Sequence, residues 1–93
     1  MVDKAYYYSH IPGMFVKRLG PDPHLDERLC AGLYRCPDIW ELSNGDFAVI
    51  GADITDIAKD RLPPSASCGP GERIVRISRL TLVGAKAEIP DQA

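Results

Sequence analysis

The chain has 93 residues, a formal net charge of -2, 45% hydrophobic and 26% charged residues. That length supports one domain with a modest core, and the composition is too apolar for a disordered chain. The slightly negative, intermixed charge argues against direct nucleic-acid binding, which needs a basic face to displace counterions, and no apolar run reaches the ~18 residues of a membrane span.

Residues 1–35 form a poorly defined N-terminal region, and 36–90 read as the core of a single 1–93 domain. Tyr6-Tyr7-Tyr8 reads as a semi-buried strand or, alternatively, as an aromatic surface for a protein partner, a residue type enriched in interface anchors. His10-Ile11-Pro12-Gly13 stops it. Met14-Phe15-Val16 is a second short apolar run ended by Lys17-Arg18, and Gly20-Pro21-Asp22-Pro23 is a loop. Leu25, Leu29 and Leu33 share a helical spacing across Asp26 to Tyr34, interrupted by Gly32.

The core opens with Cys36-Pro37 and a hairpin. Asp38 to Leu42 and Phe47 to Ile50 flank Asn44-Gly45, the strongest short-range hairpin signal. Trp40 is expected to bring the largest apolar side chain to the core. Phe-Ala-Val-Ile is apolar on both faces, which predicts a strand inside the sheet or covered on both sides.

Ile54, Ile57, Ala58 and Leu62 have the spacing of an amphipathic helix, with Asp53 or Thr55 as N-cap and Pro63-Pro64 as its end. Pro63 to Gly71 is a loop, Arg73 to Ser78 a third strand, and Ser78 caps a last helix with Leu80, Val83 and Ala87 on one face and Leu82 and Ala85 beside it. The predicted fold is α+β: a hairpin extended to a three- or four-stranded, mostly antiparallel sheet with two short helices on one face. The predicted core is Trp40, Leu42, Phe47, Val49, Ile57, Leu62, Val75, Ile77, Leu80 and Val83.

Three cysteines are an odd number, which favours reduced thiols over a disulfide framework. With no apolar signal segment in Met1 to Tyr8, the chain reads as cytoplasmic. His24, Cys30, Cys36 and Cys68 supply four N/S donors, so a small zinc-stabilised domain is one reading. Against it, no Cys-x-x-Cys is present, and zinc pairs usually have two to four intervening residues. Cys68 before Gly69-Pro70-Gly71, with Arg73 near in sequence, makes a thiol enzyme a weaker reading, because both histidines lie far away in the N-terminal part.

Asp53, Asp56 and Asp60 would line one helix face, the pattern of any solvated face rather than an acid–base site. Gly69-Pro70-Gly71 leads into a strand and has no following Lys, so it is not a phosphate loop. Up to Asp56 there are nine acids against five Lys/Arg; from Ala58 on, four against six. Arg73, Arg76 and Arg79 recur every third residue, so on an extended strand they alternate faces and do not form one patch. Arg79 would open the last helix, where the helix dipole does not favour a cation, which suggests an external or carboxylate partner.

The series Cys36, Asp38-Ile-Trp-Glu-Leu42, Asn44-Gly45, Phe47-Ala-Val-Ile-Gly51, Arg73-Ile-Val-Arg-Ile77 and Leu80-x-Leu82 through Ala85-Lys86 resembles a group of small, mostly uncharacterised bacterial proteins. More distantly it is similar to the short actinobacterial proteins encoded beside helix-turn-helix regulators. The likeness spans about half the chain, and an extra helix separates hairpin and third strand. It implies a partner-binding or regulatory protein and carries over no catalytic residue. The expected function is a non-enzymatic binding protein acting by protein–protein contact, accessory to a regulator or antitoxin-like. Arg76, Arg79 and Tyr6, Tyr7 and Tyr8 are the contact candidates, no cofactor is required, and a homo-oligomer is compatible.

Overall fold

A computed structural model describes residues 14–25 and 36–93. The tyrosine run, Cys30 and the Asp26 to Tyr34 window lie outside the described residues. Strands β1 (Phe15–Arg18), β2 (Asp38–Leu42) and β3 (Phe47–Ile50) form an antiparallel sheet in the order β1-β2-β3. Strands β4 (Ala52–Asp53) and β5 (Val75–Arg76) make a separate two-stranded antiparallel sheet. Helix α1 (Thr55–Ala58) continues as a 3-10 turn over Lys59–Arg61, and α2 (Arg79–Ala85) as one over Lys86–Glu88. This is an α+β fold, with the hairpin, helix, strand and helix in the order read from the sequence.

The hairpin turns where Asn44-Gly45 predicts. Gly45 has φ +92°, while Asn44 keeps a negative φ. The loop is therefore the three-residue type with a left-handed glycine, not a two-residue turn. Gly45 N–H donates to Leu42 O and Leu42 N–H to Asp46 O, while Asp46 N–H donates to Asn44 Oδ1. Glu41 faces Phe47, Trp40 faces Ala48 and Ile39 faces Val49.

Two strand expectations change. Among the described residues β3 is an edge strand rather than an interior one, with Phe47 41%, Val49 44% and Ile50 53% exposed. The Arg73 to Ser78 segment is ordered as a strand only over Val75–Arg76, and it pairs with β4 instead of extending the hairpin sheet. Gly51 permits this: a Cβ there would lie 2.5 Å from Arg76 O, so only glycine lets β5 come in. A two-residue strand such as β4 is too short to show a period in the sequence.

The core is small. Leu19, Ile39 and Ala85 are buried together with Ile77 packed against them, and Leu42 is also buried. Of the expected core, Leu42 is inside, and Ile77, Trp40 and Leu62 are half-buried. Phe47, Val49, Ile57, Val75, Leu80 and Val83 are exposed, Ile57 by 71%. For α2 the reason is steric. Its inward side is not Leu80, Val83 and Ala87 but Thr81, Gly84, Ala85 and Glu88, spaced i, i+3, i+4, i+7.

That side meets backbone. A Cβ on Gly20, which has φ +83°, would lie 3.0 Å from Gly84 C and O, and one on Gly84 would lie 3.1 Å from Pro21 Cδ. Large side chains cannot enter so close a crossing. Gly20 N–H donates to Glu88 Oε1 at 2.8 Å, and Lys17 Nζ lies 3.4 Å from Glu88 Oε2, which closes the far end. Ser78 caps α2 as expected, its Oγ accepting the Thr81 N–H at 3.1 Å.

Gly20→Ala and Gly45→Ala both place a Cβ at positive φ, but nothing lies within 4 Å of the position at Gly45. Gly45→Ala is expected to cost about 1 kcal/mol, and Gly20→Ala about 3 kcal/mol because overpacking adds to backbone strain. Urea unfolding of the two variants checks this; equal costs would mean that α2 does not press on Gly20.

Candidate functional site

The face of the hairpin sheet that carries Asp38, Trp40 and Leu42 holds its best-formed side-chain cluster among the described residues. Phe15 on β1 meets Trp40 on β2 edge-to-face, ring centroids 6.2 Å apart at 82°. The guanidinium of Arg18 lies 4.6 Å from the indole centroid. The same group reaches Asp38, with Nε at 3.0 and 3.1 Å from the two carboxylate oxygens and Nη2 at 3.0 Å from Oδ2. Asp22 adds a longer ion pair at 3.4 Å. The hydrogen bonds to Asp38 push the Arg18 pKa further up.

Trp40 is therefore held between an aromatic ring and a cation. No local pattern announces this, because the Arg18–Asp38 pair is formed by strand pairing between segments twenty positions apart. The cluster is internally satisfied and has no free acid, base or nucleophile.

The cysteines correct one expectation. Cys36 is disulfide-bonded and Cys68 is free, so the thiols are not all reduced. An odd count guarantees only one unpaired thiol; it does not exclude one bridge beside it. The zinc reading needs Cys36 as a thiolate, which its bonded sulfur does not offer. His24 is exposed on the 3-10 turn Pro23–Leu25, and Cys30 lies outside the described residues. Among the described residues no three His, Cys, Asp or Glu side chains come together as a metal-holding group.

Cys68 belongs to a closed turn. Its Sγ lies 3.3 Å from Glu72 O, Gly69 N–H donates to Glu72 Oε1 at 2.7 Å, and Glu72 N–H donates to Gly69 O at 3.0 Å. The Gly69 amide is thus occupied by the chain's own carboxylate. Arg73 is held by Asp53, with Nη2 2.9 Å and Nε 3.0 Å from Oδ2, while it also interacts electrostatically with Cys68.

Asp53 does not line a helix face with Asp56 and Asp60; it sits on β4. Its Oδ1 accepts the Thr55 hydroxyl at 2.7 Å and the Thr55 N–H at 3.0 Å, so Asp53 starts α1 although Ile54 occupies the cap position. These two bonds, then Arg73, lower the Asp53 pKa to about 2. Thr55 Oγ1 in turn accepts the Ile74 N–H at 2.8 Å, which ties α1 to the entrance of β5. Glu88 is likewise lowered, first by the Gly20 amide and then by Lys17.

The arginine candidates among the described residues lie on β5 and α2. Arg76 and Arg79 are both exposed, and among the described residues neither has an ion-pair partner, whereas Arg18 and Arg73 do. Between and beyond them α2 turns Leu80 37%, Leu82 51% and Val83 59% to solvent. The sequence singled out the two arginines. It missed the apolar side chains beside them, because Leu80 and Val83 read as core. No protein-family model, curated protein or solved structure matches the chain.

Both lowered carboxyls bind fewer protons in the folded state than in the unfolded one. Their contribution is complete above the ordinary carboxyl range and is lost as pH falls, for Asp53 between about 3.8 and about 2. Asp53→Asn is expected to weaken the fold at pH 5 and to flatten this acid loss, read as the urea midpoint at several pH values. An unchanged acid slope would show that Asp53 is not held by Thr55 and Arg73. A thiol titration of the non-reduced, denatured chain is expected to find one reactive thiol, at Cys68, and three after reduction; three before reduction would remove the bridge.

Proposed function

We propose that this chain is a non-enzymatic binding protein that acts by protein–protein contact, with a surface built from α2 and the end of β5. One observation carries the reading. α2 docks through its small residues and leaves Leu80, Leu82 and Val83 outside, next to Arg76 and Arg79. Exposed apolar side chains beside arginines that have no ion-pair partner among the described residues match the composition of protein interfaces, in which apolar anchors and Arg are enriched. Within this reading the chain is an accessory to a regulator or an antitoxin-like partner, as the resemblance to small bacterial proteins implies. Tyr6, Tyr7 and Tyr8 remain contact candidates from sequence alone.

No helix among the described residues is long and apolar enough to cross a membrane. A cytoplasmic setting was expected partly from reduced thiols, and the bridge at Cys36 weighs against that part of the argument.

The reading is tested by affinity capture from the native host with the full chain. Leu80→Gln/Val83→Gln and Arg76→Ala/Arg79→Ala are compared with the wild type, and far-UV circular dichroism confirms the fold of each. A protein captured stoichiometrically by the wild type is expected to lose at least about tenfold in affinity for both variants, about 1.4 kcal/mol or more. Equal capture by all three would place the contact elsewhere, and a chain that turns over substrate through Cys68 would overturn the reading.

A further inference from the structure

The open side of β3 carries an inference separate from the α2 surface; either can fail without the other. Leu42 N–H donates to Asp46 O at 2.8 Å, and the register then sets Trp40 against Ala48 and Asp38 against Ile50. In an antiparallel ladder, bonded and non-bonded pairs alternate. Ala48 and Ile50 therefore direct their backbone groups to β2, while Phe47 and Val49 direct theirs outward. Among the described residues no strand meets that edge.

Natural edge strands are usually blunted by lysine, proline or a bulge. Phe47-Ala48-Val49-Ile50 has no charge and no proline, and its pairing with β2 is regular. Its side chains at Phe47, Val49 and Ile50 are 41 to 53% exposed.

We propose that β3 pairs with β3 of a second copy of this chain, antiparallel about a two-fold axis, with Ala48 facing Ala48. Only the odd-numbered residues offer outward groups, so a symmetric pair must centre on Ala48 or on Val49. A Val49 centre sets Phe47 opposite Gly51, where Arg76 O already closes in. The Ala48 centre uses β3 alone. It sets Phe47 opposite Val49 twice, an aromatic on a β-branched side chain, which is a favoured cross-strand pair. It also sets Asp46 opposite Ile50, so no like charges meet. The uncharged edge thus complements itself, and the symmetry is that of an isologous dimer.

The full chain is examined by sedimentation equilibrium from about 5 to about 500 µM, the range in which a small interface dissociates. The wild type is expected to pass from monomer to dimer. Val49→Pro, which deletes an outward N–H and leaves the β2 ladder whole, is expected to stay monomeric. In a Cys68→Ser background with diamide as the two-electron oxidant, Ala48→Cys is expected to form a disulfide-linked dimer on the order of tenfold faster than Ser43→Cys, because facing residues of a non-bonded pair come within disulfide reach. A wild type of monomer mass throughout, or equal cross-linking at the two positions, would overturn the proposal. Should Val49→Pro not fold, the two cross-linking rates decide alone.

Discussion

The close passage of α2 over the Leu19-Gly20-Pro21 crossover governs the rest of this structure. Ala85 is wholly buried, and Gly84 and Gly20 approach to the limit that backbone atoms allow. Such a crossing admits only small side chains on the inward side of the helix. The ~100° stripe that would ordinarily hold leucines is occupied by Thr81, Gly84 and Ala85. The large residues of α2 must then lie elsewhere, and they lie in solvent. One steric fact therefore yields a small core and an apolar exterior together.

A core of this size leaves polar interactions a larger share of the work. The Thr55–Asp53–Arg73 set holds α1 to β4 and β5, and the Arg18–Asp38 pair under the Phe15–Trp40 contact ties β1 to β2. Glu88 fastens the end of α2 to Gly20. Each links segments distant in the chain, and the lowered carboxyls of Asp53 and Glu88 couple two of them to pH. Full burial of a leucine or valine is worth about 1.5–3 kcal/mol, so the exposed side chains of α2 and β3 represent stabilisation that intramolecular packing has not used.

Local signals in the sequence were readable and long-range ones were not. Asn44-Gly45 located the hairpin, Ser78 the start of α2, and Pro63-Pro64 the end of the α1 region, because turn and cap chemistry is decided within a few residues. The inward side of α2 was misread because periodicity reports which residues are apolar, while the side that docks is set by what lies opposite. Here that is the backbone at Gly20 and Pro21, sixty or more residues away. The same holds for Gly51, whose role depends on Arg76, and for β3, whose apolar character suggested an interior strand although it lies at an edge. Arg79 opens α2 as the sequence predicts, and Arg76 lies on β5.

Paired equilibrium unfolding of Ala85→Leu and Val83→Ser tests most directly which side of α2 carries the fold. Overpacking at the buried alanine is expected to cost about 2–3 kcal/mol, while the exposed valine is expected to tolerate serine within about 0.5 kcal/mol. A tolerant position 85 with a costly position 83 would mean that the helix packs through its large residues, and the surface inferred from it would not exist.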